Sequence, residues 1–131
     1  MSEFDERRKE TRKLVMAFTP VYDADKGKIL GYLRDLTLQG ALVIGEKTLE
    51  VDTRTTLKFD LPGDLPDNIL SKHLIISARV VRCVEDESPN SYQLGFEFMD
   101  VNPEQIEIIE AVLERYHFRH RRYDWQDPGA I

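Results

Sequence analysis

The sequence predicts an all-β fold, a six-stranded antiparallel β-barrel followed by a C-terminal α-helix and preceded by a flexible N-terminal arm. Three observations predict it. Short apolar or alternating runs separated by turn residues fill the stretch from Leu14 to Met99. A helical apolar period emerges only after Asn102. From Ser2 to Lys13 nearly every residue is charged and no apolar face recurs, so that segment cannot bury itself. At 131 residues the chain is long enough for one cored domain and too short for two of ordinary size. The expected division is an arm over 1–13, a barrel over 14–101, a helix over 102–123 and a tail over 124–131.

The first strand is expected from Leu14 to Tyr22, ending at Asp23-Ala24-Asp25-Lys26-Gly27, where Gly27 can take a positive φ without a Cβ clash. Lys28 to Arg34 follows as the second strand, and Ala41-Leu42-Val43-Ile44 is a compact third. In the fourth, Thr55 to Leu61, alternation puts Leu57, Phe59 and Leu61 on one face. Pro62 and Pro66 cannot donate to a ladder, so 62–68 reads as a loop. The fifth strand, His73 to Val84, changes apolar register between Val80 and Val81, which predicts a bulge or burial on both sides. Tyr92, Leu94, Phe96 and Phe98 share one side of the sixth. For the helix, Asn102 is the cap, Pro103 suits the first position and Gln105 completes a capping box. Ile106, Ile109, Leu113 and Tyr116 form its expected stripe.

Charge and cysteine content narrow the class. A net charge of −6 disfavours a general grip on nucleic-acid phosphates, so an anionic ligand needs a local basic patch. The single cysteine, Cys83, excludes an internal disulfide and fits a reducing compartment, with the cytoplasm as the expected location. No stretch approaches the roughly 20 apolar residues of a membrane span, and the first residues hold no apolar signal core.

Two clusters can carry chemistry. Arg7-Arg8-Lys9-Glu10-Thr11-Arg12-Lys13 packs five cations and one acid into seven residues of an acidic chain. A guanidinium can grip a phosphate bidentately or bond the O6 and N7 edge of guanine, and Arg8 and Arg12 stand four apart, close enough to reach one compact ligand. The ordinary alternative is a solvated charged tail. The second cluster is the loop Asp35-Leu36-Thr37-Leu38-Gln39-Gly40. As ordinary loop chemistry, Asp35 and Thr37 would bond local amides and Gly40 would supply a left-handed turn. As a ligand site, Asp35 would accept from guanine N1 and N2, Thr37 would bond a phosphate or base, and Gly40 would allow close backbone approach.

These residues resemble the PilZ domain family, whose signature pairs Arg-x-x-x-Arg with a later Asp/Asn-x-Ser-x-x-Gly. Here the two parts are Arg8 to Arg12 and Asp35 to Gly40. Ala78-Arg79-Val80-Val81-Arg82 stands where the family often has a basic-flanked valine strand, and Gly95 to Phe98 matches its Gly-x-x-Phe strand. The resemblance implies a PilZ-like barrel that binds cyclic di-GMP, with Arg8 and Arg12 on guanine and phosphate and Asp35, Thr37 and Gly40 in the loop role. Thr37 departs from the pattern, keeping the hydroxyl of Ser while its methyl stiffens χ1. Arg7 adds a guanidinium that would help hold a stacked pair of ligands.

The expected function is a cyclic di-GMP-binding signalling module whose arm orders over the barrel and presents a new surface to a downstream protein. No cofactor is expected beyond that ligand. The alternative is a ligand-free PilZ-like interaction module in which Tyr116, Phe118, Tyr123 and Trp125 contact a partner or a second copy of the chain. An enzyme is disfavoured, since Cys83 has no histidine near it in sequence, and His117 and His120 read as helix-dipole partners before metal ligands.

Overall fold

The computed structural model describes residues 14–16 and 19–118. Among these residues the elements in chain order are β1 (Leu14–Met16), β2 (Thr19–Asp23), β3 (Lys28–Leu36), β4 (Gly40–Gly45), β5 (Arg54–Asp60), β6 (His73–Glu85), β7 (Tyr92–Met99), α1 (Pro103–Arg115) and β8 (Tyr116–Phe118). Six strands close into a barrel in the order β2-β3-β4-β7-β6-β5, every neighbour antiparallel. Closure leaves the barrel without an edge strand, and strict alternation then decides which residues fill it. Val21, Leu33, Val43, Leu57, Phe59, Leu74, Ile76, Ala78, Val80, Leu94 and Phe96 all point inward and are buried. Each large member contributes about 1.5–3 kcal/mol through removal from water. Phe59 and Phe98 meet edge to face at 6.3 Å.

The run expected as one strand from Leu14 to Tyr22 is two strands. β2 joins the barrel, whereas β1 pairs in parallel with β8, Leu14 opposite Tyr116 and Met16 opposite Phe118. A local apolar pattern carries no information about a partner at the other end of the chain.

The turn after β2 forms as its residues suggest. Asp23 Oδ1 accepts from the amides of Asp25 and Lys26, and Gly27 takes φ +69°. The bulge expected in the long β6 strand is present at Val81, where the register against β7 slips between Val80 and Arg82. A second slip, in β3, sets Arg34 between Leu33 and Asp35 in the pairing with β4.

α1 opens with the expected capping box: Asn102 Oδ1 accepts from Gln105 N at 2.8 Å and Gln105 Oε1 accepts from Asn102 N at 2.9 Å. Its buried stripe is Ile108, Ile109 and Val112, and Ile106, expected on that stripe, is 37% exposed. The helix expected to run to residue 123 ends at Arg115. Tyr116 turns extended, with φ −129° and ψ 146°, and starts β8. Pairing with β1 accounts for the early stop. Tyr116 joins the core cluster, so it is buried here and does not form part of the exposed aromatic surface expected for a partner. Gln105 Nε2 donates to Ile75 O at 2.8 Å, fixing the start of the helix against β6.

Candidate ligand-binding face

The hairpin between β3 and β4 presents the Asp35–Gly40 loop, and the bulge at Arg34 decides how. Leu33 faces Val43 and points inward, so an unbroken strand would send Asp35 inward as well. The extra residue resets the alternation. Asp35 pairs with Leu42, whose neighbours Ala41 and Val43 belong to the core, and Leu42 itself lies outside the core cluster. Asp35 and Leu42 therefore sit on the outer face of the barrel, each only 5% exposed. Asp35 Oδ1 accepts from the Leu36 amide at 2.9 Å.

Thr37 organises the tip. Its Oγ1 accepts from Gln39 N and Gly40 N, both at 3.1 Å, and its own amide donates to Gly40 O at 2.9 Å. Gln39 O accepts from Phe98 N at 2.8 Å, fastening the tip to β7. The hydroxyl thus does the local work that Ser or Thr performs in such turns.

Gly40 does not take the left-handed turn conformation expected for it under the ordinary loop reading: among the described glycines only Gly27 has positive φ. A Cβ at Gly40 would instead overlap the carbonyl oxygen of Phe96 on β7. The glycine is required by the close passage of two strands of this chain.

Following the registers outward from Asp35 gives a line across four strands. Asp35 of β3 faces Leu42 of β4, Leu42 faces Gly95 of β7, and Gly95 faces Arg82 of β6. The next line holds Gly40, Glu97, Arg79 and Arg54. There Arg79 donates to Asp52 Oδ1 at 2.6 Å and Glu97 Oε1 at 2.9 Å, and the bond to Glu97, then that to Asp52, raises its pKa further. On the other side of the Gly95 line, Asp86 accepts from Gln93 Nε2 at 3.0 Å and from Arg34 at 3.3 Å. The Gln93 bond leads in holding the Asp86 carboxyl below its ordinary range, with the Glu87 amide and Arg34 adding to it.

Of the candidate residues, the structure brings Asp35, Thr37 and Gly40 into one hairpin. Arg7, Arg8 and Arg12 lie outside the described residues, as do His120, Tyr123 and Trp125. Arg82 and Gly95 were legible as part of a family-like pattern but not as members of the register line that starts at Asp35. Among the described residues no group of three His, Cys, Asp or Glu side chains is placed to hold a metal, and no helix is long and apolar enough to cross a membrane.

A family model described as the PilZ domain matches residues 6–116. The chain belongs to the PilZ domain family. Among solved structures it is similar to the PilZ domain with c-di-GMP of YcgR from Escherichia coli, with a TM-score of 0.52 and 16% sequence identity. That match covers 76% of this chain and 83% of the other. At such identity the likeness is one of fold. No curated protein matches.

Proposed function

We propose that this chain is a cyclic di-GMP-binding signalling module. The observation that carries the reading is the extent of the family match: residues 6–116 take in both the arginine run with Arg7, Arg8 and Arg12 and the loop with Asp35, Thr37 and Gly40. The similar YcgR domain, whose structure is described as containing c-di-GMP, supports the choice of ligand. Chemistry supports it too. An acceptor-only carboxylate at Asp35 suits the donor edge of guanine, and guanidinium forks suit phosphate and the acceptor edge.

The arm is expected to close on the ligand. β1 begins two residues after Arg12, and its partner β8 lies beside β3, the strand that carries Asp35. The strand at the root of the arm and the strand that carries the loop thus share β8 as a neighbour. Neutralising the dianion would order the arm, and the ordered arm would be the surface presented to a downstream protein.

Calorimetric titration with cyclic di-GMP tests the reading, with cyclic di-AMP as control and Arg8→Ala/Arg12→Ala as the variant. Saturable binding of the guanine dinucleotide alone, lost in the variant, is the expected result, and two ligands per chain would match the stacked pair proposed for Arg7. Silence in the native protein would leave a ligand-free PilZ-like interaction module as the better account.

A further inference from the structure

The outer face of α1 is acidic and open. At 3.6 residues per turn, Glu107, Glu110 and Glu114 fall within about 60° of one another, on the side opposite the buried Ile108, Ile109 and Val112. All three are exposed, Glu104 extends the row into the first turn, and Ile106, 37% exposed, stands beside it. Among the described residues none of the four glutamates is held in an ion pair. Glu107 Oε1 accepts one long hydrogen bond, 3.5 Å from Asn68 Nδ2.

Such a row weakens the helix that carries it. Like charges three and four residues apart repel, and Glu114 stands in the last turn, where the macrodipole is itself negative. Arg115, the basic residue of that turn, is turned to the Asp64 carbonyl. A cationic partner on this face would reverse the balance, and the β1–β8 pairing brings one to the same end of the helix. Leu14 stands opposite Tyr116, the residue that follows α1, so the chain before Leu14 starts about one strand spacing, ~4.8 Å, from the helix end.

That chain is the run from Arg7 to Lys13, five cations to one acid. Its length fits the face. Extended at about 3.3 Å per residue, the step from Arg12 back to Arg8 covers roughly 13 Å, and at 1.5 Å per residue the step from Glu114 back to Glu107 covers about 10 Å. We propose that the exposed face of α1 is the seat of the arm in the ligand-free protein, with Arg12 against Glu114 and Glu110 and Arg8 against Glu107. Cyclic di-GMP then competes with three glutamates for the same guanidinium groups, and its binding uncovers the helix face as the arm transfers to the ligand. This inference deepens the cyclic di-GMP reading above, giving the arm a place before the ligand arrives and α1 a surface that the ligand releases.

Zero-length carbodiimide coupling of the full chain, which joins an amine to a carboxylate in contact with it, reads the seat directly. At low salt and without ligand, mass spectrometry is expected to find Lys9 joined to Glu107 or Glu110, and saturating cyclic di-GMP is expected to remove the link. Mixing isotope-labelled with unlabelled chains separates a contact within one chain from a contact between two. Calorimetry then compares the native protein with Glu107→Gln/Glu110→Gln/Glu114→Gln and with Asp25→Asn/Glu46→Gln/Glu50→Gln, which removes the same charge from the turn after β2 and the loop after β4. The helix variant is expected to bind cyclic di-GMP about two- to tenfold more tightly, as release from a few exposed ion pairs would give, and the loop variant to stay within about twofold of native. No link from Lys9 to α1, links only between chains, or equal affinities in the two variants would overturn the inference. Coupling of Lys9 to α1 in a protein that binds no cyclic di-GMP would support the seat while removing the cyclic di-GMP reading.

Discussion

The phenolic hydroxyl of Tyr116 donates to Asp64 Oδ1 at 2.5 Å, while Arg115 Nε donates to the Asp64 carbonyl at 2.8 Å. One residue of the β5–β6 loop therefore receives both the last residue of α1 and the first of β8. Burial of the phenol, followed by its bond to Asp64, raises the Tyr116 pKa from 10.0 to about 12. The folded state thus favours the protonated phenol. Its contribution is fully present below pH 10 and is lost as the pH rises towards 12. Tyr116→Phe is expected to lower stability at neutral pH by about 0.5–1.5 kcal/mol and to flatten part of the decline between pH 10 and 12. Urea unfolding of both proteins across that range measures it, and identical alkaline slopes would count against the assignment.

Thr37 holds its hairpin through the hydroxyl and not the methyl. Thr37→Ser should keep the bonds to Gln39 N and Gly40 N, leaving stability within about 0.5 kcal/mol and cyclic di-GMP affinity equal or improved. Thr37→Val removes the acceptor and should cost about 1 kcal/mol. Denaturant midpoints of the two variants, read beside their ligand titrations, separate a loop role from a ligand role. A large loss of affinity in Thr37→Ser would contradict this account of the contact.

Gly40→Ala is expected to destabilise the barrel by about 1–3 kcal/mol, or to prevent folding, because the new methyl overlaps the Phe96 carbonyl. Loss of ligand in that variant would then follow from the displaced β4–β7 pairing. Thermal unfolding without ligand checks this, and an unchanged midpoint would return Gly40 to a direct role at the ligand.

Much of the barrel was legible because its strands are half-buried and alternate cleanly: Leu57 and Phe59 in β5 and Leu94, Phe96 and Phe98 in β7 declare their face without help. The start of α1 was equally plain, since Asn102, Pro103 and Gln105 act on one another locally. What stayed hidden depends on distant pairing. Tyr116 continues the apolar spacing of Ile109 and Leu113, and only the parallel partner at Leu14 pulls it out of the helix.

The outward turn of Asp35 was hidden for a different reason. Its signal is the three-residue step from Leu33 to Leu36, which breaks a two-residue period, but a bulge is defined against the neighbouring strand and β4 fixes it. The corresponding break at Val80-Val81 in β6 was visible. Its consequence for Arg82 needed the register with Gly95.

The β1–β8 ladder joins residues 102 positions apart, Leu14 to Tyr116, and consists of three pairs. Closing so long a loop carries a large entropic cost for so short a reward, whereas the hairpin partners β3 and β4, or β6 and β7, meet across short connections. Assembly therefore has an order: hairpins and barrel closure first, the two-stranded clasp last. Three ladder pairs are also all that joins β1 to β8, so opening the clasp costs less than unfolding the barrel. The segment bearing Arg7, Arg8 and Arg12 is attached to the part of the molecule that forms after the surface carrying Asp35 is complete.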